Sequence, residues 1–151
     1  MIRIINAKEE DCKYIFNLRN NPIVRKASFN SDKIDYETHK RWFTKTLDNP
    51  NRKIFIALNE TSQKIGMVRF DKEEDSAEIS IAISPNMQGK GYGTKLLKQG
   101  CNKYLKKELT VKFIRAEIKK DNIASIKAFT KSGFIHCKDY DDKVEMRLVR
   151  S

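Results

Sequence analysis

The stretch Gln88 to Gly93, QGKGYG, places three of the chain's six glycines within five positions and sets Lys90 between two of them. Glycine tolerates positive φ and lets another backbone or a ligand come close, so the cluster reads either as a tight turn or as a cradle for an anion. The next twelve residues, TKLLKQGCNKYL (94–105), have Leu97, Cys101, Tyr104 and Leu105 spaced for one face of a helix. A glycine-rich entry to a helix presents unpaired backbone N–H groups and the positive end of the helix dipole, which together hold a phosphate without committing side chains. The spacing departs from the better-known phosphate loops. There is no GxxxxGK[ST], and GxGxxG would require a glycine at Leu96.

The charge distribution bears on the same loop. The chain carries 31 Lys and Arg against 20 Asp and Glu, a net +11. From Asn86 to Lys131 there are 12 basic residues and 3 acids, so +9 of that excess surrounds and follows the glycines. Such a balance suits an anionic cofactor or a polyanionic partner such as nucleic acid. Cys12, Cys101 and Cys137 are odd in number and contain no CxxC pair, and His39 and His136 are the only histidines, so neither a disulfide scaffold nor a metal site is expected. Charge interrupts the N-terminal residues at Arg3 and from Lys8 to Asp11, and no apolar run approaches membrane-spanning length. The expectation is a cytoplasmic protein with no membrane partner, built as one domain over 1–151, whose length lets it bury about two-thirds of its unfolded surface.

The elements that must position the loop can be read from periodicity. IRII (2–5) reads as a strand, Ala7 to Leu18 as a helix, and Asp35 to Leu47 as a second helix carrying Tyr36, His39, Trp42 and Phe43. KIFIAL (53–58), KIGMVRF (64–70) and AEISIAI (77–83) read as three strands joined by polar turns, hence antiparallel hairpins. In the last of these, Ala77, Ile79, Ile81 and Ile83 point one way, and Pro85 stops the ladder. FIRAEI (113–118) is another strand, DNIASIKAFTKS (121–132) a helix ended by Gly133, and FIHCKD with VEMRLV a final hairpin. The fold class is mixed α+β, with the glycine loop between a strand and a helix.

Gln88-x-x-Gly91-x-Gly93 matches the [QR]xxGx[GA] signature of the GNAT superfamily of acetyl-CoA-dependent N-acetyltransferases. A second segment, from Asn122 through Ser125 and Phe129 to Gly133-Phe134, resembles the family's NxxAxxxYxxxGF pattern, and the order of strands around both agrees along essentially the whole chain. The resemblance implies a twisted, mostly antiparallel mixed sheet of six to seven strands with about four helices, splayed where acetyl-CoA binds. It implies that the amides of Gln88, Gly89, Lys90, Gly91, Tyr92, Gly93 and Thr94 hold the pyrophosphate, that the backbone of Ile81, Ala82 and Ile83 meets the pantetheine arm, and that Asn122, Ser125 and Phe129 lie on the cofactor side.

Moving acetyl from sulfur to an amine needs an unprotonated amine, donors for the oxyanion and an acid for the departing thiolate. The resemblance offers Glu117 and Glu78 as bases and the amide of Ile81 as oxyanion donor. The family often places a tyrosine, as the acid, seven residues after the motif asparagine. This chain has Phe129 there, which has no proton to give, and Tyr92, Tyr104 and Tyr140 are the phenols found elsewhere. Acceptor contacts in this fold come from the first two helices and their connection. The segment LRNNPIVRKASFN with the helix after it resembles bacterial enzymes that acetylate UDP-linked 4-amino-4,6-dideoxy sugars for pseudaminic acid and surface glycan synthesis. Carried over, Arg19 would hold a diphosphate, His39 a phosphate or sugar, and Phe29 and Trp42 would cover apolar faces. The partner is then a small molecule, an amino nucleotide-sugar, and a homodimer is compatible with this reading. The alternatives are an N-acetyltransferase acting on protein N-termini or ribosomal proteins and, from another class, a basic nucleic-acid-binding module, for which no binding motif is present.

Overall fold

Seven strands form one mixed sheet in the computed structural model, which describes residues 1–150. In spatial order they are β1 (Arg3–Asn6), β2 (Arg52–Leu58), β3 (Lys64–Glu73), β4 (Ser76–Ile83), β5 (Phe113–Lys119), β7 (Lys143–Val149) and β6 (Ile135–Asp139). Every neighbouring pair is antiparallel except β4 with β5. The meander expected from the three apolar runs is β2–β3–β4. The parallel step arises because a long helix carries the chain from the end of β4 back to the start of β5.

Five α-helices accompany the sheet: α1 (Cys12–Asn20), α2 (Pro22–Ala27), α3 (Tyr36–Asp48), α4 (Tyr92–Lys107) and α5 (Ile123–Lys131). The sequence pattern points to about four. The additional one, α2, buries no residue and so carries no apolar stripe. It is set instead by Pro22 in its first turn and by the Asn21 side chain, which accepts from the Ile23 N–H at 2.9 Å.

Each face of the sheet buries its own apolar cluster. On one face α4 and α5 cover Phe55, Val68, Phe70, Ile79, Ile114, Ala116 and Met146. On the other, α1 and α3 bring Ile15, Leu18 and Phe43 onto Ile54, Ile56 and Met67. The first cluster centres on Phe70, which is fully buried, stacked on Tyr104 at 4.1 Å and meeting Phe55 edge-on at 6.0 Å. Burial pushes the Tyr104 hydroxyl up to about 12, and the ring, stacked on Phe70, is packed within this cluster with almost no exposed surface.

Because no other aromatic can refill that space, Phe70→Ala should destabilise the protein by about 3–5 kcal/mol. Urea unfolding followed by circular dichroism would measure it, and a loss below about 1 kcal/mol would mean that the stack contributes little.

Candidate functional site

Strands β4 and β5 pair over only three positions, Ser76 with Phe113, Ala77 with Ile114 and Glu78 with Arg115. Beyond them β4 runs on to Ile83 held by β3 alone, while β5 runs on to Lys119 held by β7. The Ser84 N–H bonds to the Ile65 carbonyl at 2.9 Å, so by the alternation of an antiparallel ladder the N–H groups of Ala82 and Ser80 also turn to β3, those of Ile79, Ile81 and Ile83 turn toward β5, and of these Ile81 and Ile83 lie beyond the last pair and face the gap. Of the three residues expected to meet a pantetheine arm, Ile81 and Ile83 therefore present free amides, whereas Ala82 has its own committed to the sheet. The Gln88 side-chain amide donates to the Ile83 carbonyl at 3.3 Å and joins the end of β4 to the loop.

The loop has the form of a backbone cradle. Gly89 and Gly91 sit at φ +78° and +79°, conformations that only glycine adopts readily, and a Cβ at either would meet nothing of the chain within 4 Å. Gly91 caps α4, and the first intrahelical bond there is from Lys95 N–H to the Gly91 carbonyl at 3.5 Å. The amides of Tyr92, Gly93 and Thr94 are thus orphan donors at a helix N-terminus. Open space lined by donors, with Lys90 and Lys95 nearby in sequence, fits a pyrophosphate. On the far side of the gap, the Asn122 side chain accepts from Ser125 N–H at 3.2 Å and caps α5, and Phe129 is buried edge-on against Phe134 at 4.9 Å. The Asn122 side-chain oxygen is thus spent on the cap, and the Phe129 ring on the core.

The two carboxylates singled out as bases stand together at the point where the strands part. Arg115 bridges them, at 3.4 Å from Glu78 and 4.0 Å from Glu117. Lys143 closes on Glu117 at 2.6 Å. The environments push the pair apart: Lys143 holds the Glu117 carboxyl below its ordinary range, whereas burial, and then the neighbouring Glu117 and Asp71 acting against Arg115, raises that of Glu78. Of the two, Glu78 is the stronger base.

Both carboxylates lie on the face of the sheet opposite the α4 and α5 cluster, where α1 and α3 cover β1 to β3 and α1 reaches the open end of β4 at Ala82 and Ser84. The β4, β5 and β7 half is a polar floor of Glu78, Ser80, Arg115, Glu117, Lys143 and the Glu145–Arg147 pair, the last at 2.8 Å. At its rim α1 presents Arg19, half-buried and stacked over Trp42 at 4.1 Å, with Arg69 of β3 over the same ring at 5.2 Å. Arg69 has a carboxylate partner, Asp71 at 3.2 Å, but Arg19 pairs with none among the described residues. Burial, and then the neighbouring Arg69, brings its guanidinium down to about 10, still cationic at neutral pH. Phe29, half exposed, faces Lys143 at 5.5 Å and Lys119 at 6.0 Å from the opposite edge of the floor.

His39 corrects an expectation. It has no exposed surface, and both ring nitrogens are engaged: Nε2–H donates to the Cys12 carbonyl at 2.9 Å, which leaves Nδ1 to accept from Arg19 at 3.0 Å. Phe16, Tyr36, Trp42 and Phe43 surround the ring, and burial lowers its pKa, so it is neutral. It positions Arg19 and cannot itself touch an acceptor. Sequence reasoning misses Arg69, Arg115 and Lys143. Arg69 is legible from the alternation Met67, Arg69, Asp71 on β3, but the other two acquire meaning only through strand pairing that local sequence does not report.

Residues 2–135 match the model of the acetyltransferase (GNAT) domain. The chain is 28% identical over 146 residues to acetyltransferase PseH of Campylobacter jejuni subsp. jejuni serotype O:23/36, covering 93% of this chain and 90% of that protein. The serotype O:2 protein of the same name is 29% identical over 147 residues, with the same coverage. Among solved structures, spermidine N-acetyltransferase from Vibrio cholerae in complex with CoA and spermine superposes with a TM-score of 0.88 at 19% identity, over 98% of this chain and 95% of that one. A domain from Methanocaldococcus jannaschii superposes with a TM-score of 0.85 at 26% identity, over 99% of each chain. With the family model spanning most of the chain and the gap and cradle in place, the chain belongs to the GNAT family and is an acetyl-CoA-dependent N-acetyltransferase.

Proposed function

We propose that the acceptor is the amino group of a nucleotide-linked amino sugar, and that the observation carrying this reading is Arg19. A half-buried guanidinium held by His39 and Trp42, with no carboxylate of its own, is prepared for an anionic ligand, and a planar donor fork suits a diphosphate. The same segment supports the resemblance to UDP-amino-sugar acetyltransferases, and the PseH relatives cover it. Arg69 lies beside Arg19, and the floor between them and the Glu78 carboxylate leads to the end of the gap. Phe29 overhangs this floor and offers an apolar face to a sugar ring. A polyamine, the class of ligand bound by the Vibrio cholerae enzyme, would have to approach Arg19, Arg69, Arg115 and Lys143 with like charge.

On this reading acetyl-CoA lies in the gap with its pyrophosphate on residues 88–94 and its pantetheine arm along β4, and it supplies the acetyl group as a thioester. Glu78 would take the proton from the acceptor amine, directly or through water, as the amine nitrogen bonds the acetyl carbon and the C–S bond breaks; with Phe129 unable to give a proton, the CoA thiolate would leave as such or take one from water. Arg115 pairs with both Glu78 and Glu117 and holds them in place, offsetting part of the rise that burial imposes on Glu78. The Ile81 N–H, directed into the gap, donates to the oxyanion. Lys143 commits Glu117 to an ion pair, which gives it the lesser role in proton transfer.

Three measurements test these assignments. Gly91→Val puts a branched side chain into the cradle at a φ that valine resists, so calorimetry should show acetyl-CoA binding at least about tenfold weaker, with the far-ultraviolet dichroism retained. Equal affinity would remove the cradle.

Glu78→Gln should lower kcat by about a hundredfold or more near neutral pH, and Glu117→Gln by much less. In the wild type, rate should be lost as pH falls through the raised Glu78 value, since only the carboxylate accepts a proton. In the Gln variant that limb should vanish, with partial recovery as rising pH frees the amine. The reverse ranking of the two variants would assign the base to Glu117.

Presented with UDP-linked 4-amino sugars, peptides ending in Ser, Ala or Thr, and spermidine, the enzyme should prefer the nucleotide sugar. Arg19→Ala should then lower kcat/KM for it by about ten- to hundredfold, the worth of a charged hydrogen bond, while leaving acetylation of simple amines nearly unchanged. A preference for peptides with no inhibition by UDP-sugars would replace the sugar by a protein acceptor.

A further inference from the structure

The gap between β4 and β5 needs a cause, because two strands that pair as far as Glu78 and Arg115 would ordinarily continue to pair. Gly66 of β3 lies opposite Ile83, at the open end of β4. A Cβ built on Gly66 would stand 2.5 Å from the Ala82 carbonyl oxygen, 3.1 Å from Ile83 Cα and 3.1 Å from Ile83 Cδ1. The first two are backbone contacts, and the shorter is below any distance that real Cβ atoms keep. Gly66 is also not in the left-handed region, unlike Gly89, Gly91 and Gly133, so backbone conformation does not explain a glycine here. The close approach of two backbones does. Next to it the pairing of β2 with β3 slips by one residue between Ala57 and Leu58, so β3 already bends at this point.

We propose that Gly66 is a positioning residue for the pantetheine subsite: its missing side chain lets the end of β4 lean onto β3 and so draws Ile81 and Ile83 away from β5. The direction of the effect depends on which strand is free to move. Strand β3 is held on both sides, by β2 and β4, whereas β4 beyond Glu78 has β3 on one side and the gap on the other. A side chain at position 66 would therefore displace β4 toward β5, narrowing the gap where the Ile81 and Ile83 amides face it. The glycine loop would be disturbed less, since its link to Ile83 is one side-chain bond from Gln88 at 3.3 Å, while Ser84 is separately tied to Ile65 by its N–H and to Tyr14 of α1 by a 2.7 Å hydroxyl contact.

This rests on the pantetheine arm lying along β4, and the test separates the two. Gly66→Ala and Gly91→Val are each titrated calorimetrically with CoA and with adenosine 3′-phosphate 5′-diphosphate, the part of CoA that lacks the pantetheine arm. Gly66→Ala is expected to bind CoA about tenfold or more weakly while binding the fragment within about twofold of wild type. Gly91→Val should weaken both. A loss of thermal stability alone cannot produce that selectivity. If Gly66→Ala binds CoA normally, or weakens both probes alike, the proposal is overturned. If Gly91→Val changes neither, it is the cradle that fails. Should Gly66→Ala not fold, Gly66→Ala/Ile83→Ala removes the side-chain contact, keeps the carbonyl contact, and is held to the same two outcomes.

Discussion

A strand edge that is left unpaired inside a folded protein costs free energy for every peptide group that loses its partner, and natural sheets avoid it unless something else supplies the bond. Here β4 carries such an edge at Ile81 and Ile83, in the middle of a seven-stranded sheet. The surrounding structure is arranged to tolerate it. Strand β3 pairs with β4 along its full length, the Gln88 amide takes the Ile83 carbonyl, Tyr14 meets Ser84, and the apolar side chains of Ile81 and Ile83 remain packed on the α4 and α5 cluster. The edge that stays open is a row of donors leading to a second set of donors at the start of α4. The cofactor reading draws on that continuity more than on either set alone.

The same parting divides the other face of the sheet. Where β1, β2 and β3 stay together, α1 and α3 cover them with apolar contacts, and Phe43 and His39 are fully buried. Over β5 and β7 the same face is largely charged, and its residues pair with one another. Arg115 meets Glu78 and Glu117, Lys143 meets Glu117, and Arg147 meets Glu145. Ion pairs of this kind contribute little to stability when exposed, so their arrangement is better understood through the protonation states they impose. The raised carboxyl of Glu78 and the lowered one of Glu117 differ because burial prevails at the first in spite of Arg115, whereas the second touches the Lys143 ammonium.

Much of this is legible in the sequence wherever a local pattern carries it. The glycine spacing marks the loop, alternation marks β2, β3 and β4, and the proline after Ser84 marks the end of the strand that parts. Helix α2 is not visible, because a six-residue helix held by a cap and a proline leaves no periodic apolar signal. His39 misleads for a related reason: a histidine on an amphipathic helix looks the same whether it faces a ligand or a cage of aromatic rings. Arg115 and Lys143 cannot be singled out, since their importance comes from a parallel pair and an antiparallel pair that set Glu78, Arg115 and Glu117 next to Lys143. Gly66 is also hidden, for in KIGMVRF it looks like an ordinary interruption of a strand, and only the distance to the Ala82 carbonyl gives it a reason.

The net charge of +11 is the feature most open to a different reading, because a basic protein attracts any polyanion. Its arrangement separates the cases. Sequence-tolerant nucleic-acid binding relies on aromatic side chains exposed along a basic groove for bases to stack on. In this chain Phe16, Tyr36, Trp42 and Phe43 pack around His39, Phe55 and Phe70 pack with Tyr104, and Phe129 with Phe134, so a run of exposed rings is missing and Phe29 stands by itself over Lys119 and Lys143. Most cations of the polar floor are paired with carboxylates. Among the described residues Arg19 and Lys119 have no carboxylate partner; Lys119 donates to the Lys26 carbonyl, and Arg19 is fixed on two sides, by Trp42 beneath it and His39 beside it. A single cation held in that way favours recognition of one small anionic group at a set distance from a reacting amine over attraction along an extended polymer.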